Sequence, residues 1–169
     1  RALREGAQWW DFAVTISEFT ARELRTRLAG IGAPPITVTP VPLAHRIGSV
    51  AETAKPDTLP LPPAAADLDG KPFILCVGTI ESRKNHLGLI AAWRMLLREG
   101  YEPPPLLLVG QRGWRVRELL EQLEDTGYLG GRVRLLHGLS DLELEALYRR
   151  CTFSIFPSFT EGWGLPVGE

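Results

Sequence analysis

An α/β fold built on a parallel sheet is the fold class this sequence predicts, and three observations predict it. Short runs such as FILCVG, PLLLVG and CTFSIFP are apolar almost throughout. Segments with helical spacing separate them, among them NHLGLIAAWRMLLREG and SDLELEALYRR. Glycines Gly100 and Gly127 close two of those helices. Strands that are apolar on both sides are buried on both faces, and helices in the crossovers between parallel strands do the covering. With right-handed crossovers the result is a Rossmann-like sheet.

The elements follow in order. FAVTIS is a short apolar strand, and SEFTARELRTRL continues as a helix through Phe19, Leu24 and Leu28, with a capping pattern from Thr20 to Glu23. ITVTPVPL adds an extended stretch. Residues 40–72 then hold seven of the fourteen prolines and few large apolar side chains, which reads as a linker. From there the order is regular. FILCVG is a strand and the segment to Gly100 a helix; PLLLVG is a strand and RVRELLEQLEDTG a helix; RVRLLHG, SDLELEALYRR and CTFSIFP are strand, helix and strand. Ser140 and Glu143 form a capping box on the last helix.

Composition sets the outer limits. At 169 residues, 44% hydrophobic and 23% charged, the chain can bury a core. A formal net charge of −1 offers no general field for nucleic acid or anionic lipid, so an anion must be held by a local cluster. Cys76 and Cys151 stand far apart, which suggests neither a zinc site nor a disulfide scaffold and points to the cytosol. No apolar run approaches the ~20 residues of a membrane span. RALREGAQWW does not have the shape of a signal peptide and reads as the interior of a longer chain.

In an open parallel sheet the ligand lies outside the carboxyl ends of the strands. The first such loop, GTIESRKNH, sets Arg83 and Lys84 at the mouth of a helix that starts near Asn85. Unpaired N–H groups and the dipole attract phosphate there, and the two cations add full charges. A solvated charged loop explains the same residues equally well. Gly78 stands alone, without the three glycines of a dinucleotide fingerprint, which argues against a nicotinamide dehydrogenase. In the last loop Pro166 suits the first position of a helix, and Gly162 and Gly164 let backbone approach a ligand. Glu161 and Glu169 are two acceptors suited to vicinal hydroxyls of a sugar or ribose. An ordinary first-turn glutamate and a solvated one explain the pair as well.

VGTIESRKNH, LLLVGQRGW, HGLSDLELEALYRRC and FPSFTEGWGLPVGE, in this order and spacing, resemble the donor-binding half of a retaining glycosyltransferase of family four, with the GT-B fold of two Rossmann domains. The E-x7-E element, Glu161 to Glu169, is that family's signature. VTISEFTARELRTRL with ITVTPVPL is similar to the end of the acceptor domain. The resemblance therefore implies a partial GT-B chain, a truncated segment. Residues 1–39 would end the N-terminal acceptor domain, 40–72 would link the domains, and 73–169 would begin the donor-binding domain.

Carried onto these residues, the resemblance implies that Lys84 and Arg83 grip the donor diphosphate and that Gly78 begins the loop beneath it. Glu169 would accept from the ribose, and Glu161 would lie beside the transferred sugar, the catalytic set being Glu161, Lys84 and Arg83. Backbone N–H groups of Trp163, Gly164 and Leu165 would touch sugar or phosphate. Many relatives carry arginine after this glycine, where Thr79 stands here, so the second cation is Arg83 or missing. No metal and no resident cofactor are implied, because protein cations and helix dipoles replace a divalent ion. The donor substrate would be a nucleotide-diphosphate sugar, with the phrasing leaning toward GDP-mannose. The acceptor would be a glycan or lipid-linked saccharide, as in bacterial mannosyl- or glucosyltransferases of polysaccharide assembly. The expected location is cytoplasmic, with peripheral contact at the inner membrane face through the absent N-terminal domain. The alternative is a non-catalytic nucleotide or phosphosugar-binding module, or a degenerate relative.

The histidines and tryptophans have plainer readings. His86 reads as a capping or surface histidine, and His137 as a structural histidine or a nucleotide contact at a strand end. Trp93 and Trp114 read as core or domain-packing aromatics.

Overall fold

The computed structural model describes residues 2–42 and 59–162. The chain divides into two compact units, Arg1–His45 with Glu161–Glu169, and Arg46–Thr160.

The first unit opens with a short helix, α1 (Ala2–Gly6), and is built on one strand–helix–strand crossover: β1 (Phe12–Thr15), α2 (Glu18–Gly30) and β2 (Thr37–Pro40). The strands pair in parallel, Phe12 opposite Thr37 and Thr15 opposite Pro40. Ser17, not Thr20, caps α2. Its backbone is extended, and its hydroxyl accepts from Thr20 N at 3.1 Å. Pairing with β1 continues one residue past β2, since Val41 N donates to Thr15 O at 2.7 Å. Phe19 is exposed rather than packed, and the inward positions of α2 are Ala21 and Leu28.

The second unit carries a four-stranded parallel sheet in the order β5-β4-β3-β6. Its strands are β3 (Ile74–Val77), β4 (Leu106–Val109), β5 (Val133–Leu136) and β6 (Phe153–Ser154). Its helices are α3 (His86–Arg98), α4 (Arg117–Asp125) and α5 (Asp141–Arg150). Successive side chains of a strand face opposite ways, and the core divides accordingly. Leu75, Leu107, Val109 and Leu136 pack with Ala146 and Leu147 of α5. Ile74, Cys76, Leu106, Leu108 and Val133 pack with Ile90 and Trp93 of α3 and Leu119 and Leu123 of α4. β3 and β4 are buried on both faces, which is why they read as unbroken apolar runs, whereas both residues of β6 are exposed.

Of the proline-rich stretch read as a linker, residues 43–58 lie outside the described residues. Residues 59–72 belong to the core of the second unit: Leu59, Leu61, Ala65 and Leu68 are buried beside Leu75 and Leu107. A 3-10 turn over Pro63–Leu68 presents Ala65 and Leu68. Arg134 of β5 holds that turn with two bonds to Asp67, at 2.6 and 2.7 Å, and one to Ala64 O at 2.9 Å. The guanidinium drives the Asp67 carboxyl down to about 2. Three leucines and an alanine spread through prolines read as a linker in sequence, and their packing reveals them as core.

Helix ends follow the expected chemistry. The Ser140–Glu143 capping box forms on α5. After α3, Gly100 is left-handed, with Gly100 N donating to Leu97 O and Tyr101 N to Leu96 O. After α4 the chain stays left-handed through Gly127, Tyr128, Leu129, Gly130 and Gly131. No described helix is long and apolar enough to cross a membrane.

Candidate functional site at the strand ends

Two glycines govern the carboxyl ends of β3 and β4. Gly78 has φ 147° and Gly110 φ 157°, a region L side chains rarely adopt. A Cβ on Gly110 would stand 2.1 Å from Gly78 O, so the two backbones approach as only glycine permits. Beyond this point the loops continue the pairing: Ile80 N donates to Gln111 O, and Gly113 N to Ile80 O, each at 2.8 Å. Thr79 closes against Gly113, whose own Cβ would lie 2.7 Å from Thr79 Cγ2. The loop after β3 is thus held from below, and its tip is left to Ser82–Lys84.

Ser82–Lys84 is one turn of 3-10 helix, and Asn85, left-handed at φ 58°, redirects the chain into α3. Lys84 is half-buried. Its stem passes over Gly78, where Cε and Nζ lie 3.6 Å from the place a Cβ would take. Its ammonium lies 4.8 Å from the centre of the Phe156 ring, an electrostatically favourable position. Arg83 points to other partners: Nη2 bonds Glu81 Oε1 at 2.6 Å and Nη1 bonds Thr160 O at 2.8 Å. Gly78, Arg83 and Lys84 are therefore brought onto one loop, with the lysine over the glycine and the arginine bracing the segment after β6.

His86 departs from the expectation of a capping or surface residue. It is 2% exposed, and burial lowers its pKa from the ordinary 6.5. As the first residue of α3 it faces the core, and it supports the loop from inside. Its Nδ1 is buried without a hydrogen-bond partner among the described residues. His137 is exposed just past β5. Trp93 is a core residue, with Nε1 donating to Pro104 O at 3.2 Å. Trp114, by contrast, is 83% exposed and packs into no core of the second unit. It follows Gly113 in a loop that pairs with Ile80 through backbone, which leaves its side chain outward.

Glu161 and Gly162 belong to the first unit. The Gly162 carbonyl accepts from Ser17 Oγ and, at 3.3 Å, from Thr20 Oγ1. A Cβ at Gly162 would meet Ile16 Cδ1 at 2.9 Å. Two hydroxyls at the start of α2 thereby pin the residue after Glu161, which is itself half-buried. Trp163, Gly164, Leu165 and Glu169 lie outside the described residues, and with them the second half of E-x7-E. Sequence reasoning gave no place at the site to Glu81, Asn85, Phe156, Ser17 or Thr20. The signal for Asn85 was its place between two cations and a helix, where a left-handed residue is well served by asparagine.

A family model described as "Glycosyl transferases group 1" matches residues 62–169. The O-antigen chain mannosyltransferase B of Escherichia coli is 31% identical over 176 residues, covering 100% of this chain and 43% of that protein. The serotype-specific mannosyltransferase WbdA of Escherichia coli is 39% identical over 121 residues, covering 72% of this chain and 14% of that protein. The chain thus spans less than half the length of either relative. Among solved structures, Anabaena Alr3699/HepE in complex with UDP and glucose superposes with a TM-score of 0.65 at 15% identity, over 95% of this chain and 41% of that one. Sucrose-phosphate synthase from Thermosynechococcus elongatus does so at 0.64 and 20% identity, over 96% and 39%. At such identities the likeness concerns the fold, and the architecture is that of part of a GT-B glycosyltransferase.

Proposed function

Because the chain belongs to the glycosyl transferases group 1 family, we propose that its protein is a retaining hexosyltransferase that moves mannose from GDP-mannose to a glycan or lipid-linked acceptor. The observation that carries this reading is the Lys84 ammonium, set over Gly78 at the carboxyl end of β3 and beside the start of α3. A diphosphate placed there meets a full positive charge and the positive end of a 13-residue helix. The preference for mannose rests on the two mannosyltransferase relatives.

In this reading the chain stabilises the leaving group. As the bond from sugar to diphosphate breaks, negative charge grows on the phosphate oxygens, and Lys84 with the N–H groups of α3 answers it without reorganising. Arg83 braces the loop through Glu81 and Thr160, and reaches the diphosphate by exchanging Glu81 for phosphate. Glu161 stands beside the transferred sugar, Glu169 accepts from the ribose, and backbone at Trp163, Gly164 and Leu165 lines the sugar. Protein cations serve in place of a divalent metal. The protein works in the cytoplasm, at the inner membrane face where lipid-linked acceptors are presented.

The test is a thermal-shift screen of the full-length protein against GDP-, UDP- and ADP-sugars. A ligand that binds only the folded state stabilises it by RT ln(1 + [L]/Kd), so GDP-mannose should stand out. Equal, null shifts across all nucleotide sugars would overturn the reading, and binding without turnover on any acceptor would favour a non-catalytic module.

A further inference from the structure

The loop that carries Lys84 is bolted to the segment after β6 through a series of neighbouring residues. Lys84 Nζ lies over the Phe156 ring at 4.8 Å, and Asn85 Nδ2 donates to Pro157 O at 3.2 Å. Phe159 N donates to Arg83 O at 3.1 Å, and Arg83 Nη1 donates to Thr160 O at 2.8 Å. Asn85 is distinguished among these residues by its backbone. It is left-handed, with φ 58° and ψ 33°, a conformation asparagine adopts more cheaply than other residues with a side chain. Its N–H closes the turn onto Ser82 O at 3.1 Å, and its carbonyl accepts from Leu89 N at 3.2 Å to begin α3. Its amide is also enclosed. A Cβ on Gly88 would stand 2.5 Å from Asn85 Oδ1 and 3.0 Å from Nδ2, so Gly88 leaves the space that the amide fills.

We propose that Asn85 is the positioning residue of the donor loop: through the Pro157 carbonyl it holds the Lys84 turn and the Phe156–Thr160 segment in one register. The lysine is then in place before a diphosphate arrives, and binding does not have to order the loop. The inference rests on Lys84 being the diphosphate-binding cation. It also accounts for the residue type. Glycine tolerates the left-handed backbone but has no amide, and aspartate, ionised at neutral pH, only accepts and would face a carbonyl.

The test uses the full-length protein with Asn85→Gly, Asn85→Asp, Lys84→Ala and the double variant Asn85→Gly/Lys84→Ala. Affinities for GDP and for UDP are measured by calorimetry, and exchange of the Phe159 amide by hydrogen–deuterium exchange. We expect both Asn85 variants to weaken the better nucleotide about fivefold to tenfold, the worth of one hydrogen bond, and to speed Phe159 exchange by a similar factor. The double variant should bind no more weakly than Lys84→Ala alone, because nothing remains to be positioned. A merely structural role would weaken the double variant further. Wild-type affinity in both Asn85 variants, with Lys84→Ala weakened, overturns the inference. Unchanged affinity in Lys84→Ala, or no nucleotide binding by the wild type, overturns the donor reading instead, and Phe159 exchange then decides whether Asn85 holds the segment. Should one Asn85 variant fail to fold, the other carries the test; failure of both assigns Asn85 to folding and overturns the positioning role.

Discussion

Gly110→Ala adds a single methyl group, yet it should damage the second unit more than any propensity scale suggests. The new Cβ would lie 2.1 Å from Gly78 O, 2.6 Å from Gly78 C and 3.2 Å from Thr79 N. All three are backbone atoms, so no side-chain rotation relieves the clash. Relief requires the ends of β3 and β4 to part, against the bond Gly78 N to Val109 O at 2.9 Å. Losing one such bond with its partner left buried costs about 1–3 kcal/mol. Holding alanine at a φ of 157° costs a further ~1–3 kcal/mol. The expected loss is therefore about 2–6 kcal/mol. Gly127→Ala is the control: its φ is 54° and no atom lies within 4 Å of the added Cβ, so only the left-handed penalty of about 1–2 kcal/mol applies. Urea unfolding followed by far-UV circular dichroism measures both variants against the parent, with equal m-values as the condition for comparing midpoints. If Gly110→Ala costs no more than Gly127→Ala, the close approach of the two loops is wrong, and with it the floor on which the Lys84 stem rests.

Three further outcomes follow from the same residues. Lys84→Ala in the full-length protein should weaken nucleoside diphosphate binding by about 1.5–3 kcal/mol, the usual worth of a hydrogen bond to a charged group; unchanged affinity in calorimetry removes Lys84 from the site. If protein cations answer the leaving-group charge as proposed, sugar transfer should persist in EDTA; activity lost to chelation and restored by magnesium or manganese would contradict that assignment. Stability should fall as pH drops below 6.5, because the unfolded chain takes up a proton on His86 where the folded chain, with its pKa lowered by burial, resists it. His86→Gln should flatten that slope in urea midpoints taken between about pH 5 and about pH 7.5, and an unchanged slope would mean that the imidazole is not held neutral.

What the amino-acid order determined by itself is local. Four of the strand runs, FILCVG, PLLLVG, RVRLLHG and CTFSIFP, became the four strands of one sheet; burial on both faces leaves FILCVG and PLLLVG an apolar signature that needs no partner to be read, whereas the strand within CTFSIFP is exposed. The Ser140–Glu143 box formed because both partners lie within one turn. The cations at positions 83 and 84 were visible as charges. Their division of labour was not, because it depends on Phe156, Thr160 and the missing side chain of Gly78, each distant in sequence from the loop or silent in it.

Tertiary structure decided what each of these residues faces. His86 was judged from its place at a helix start, but the turn made by Asn85 rotates it into the core. Trp114 could have been a core aromatic by sequence, but it packs into no core of the second unit. Leu59, Leu61, Ala65 and Leu68 looked like linker and complete a core. Ser17 took the cap from Thr20 because an extended residue can turn its hydroxyl back to the helix, and both hydroxyls were then drawn to Gly162, more than 140 positions away. Sequence period reports which way a side chain points relative to its own element. Burial and pairing depend on which other element arrives there, and that is settled only by the closing of the fold.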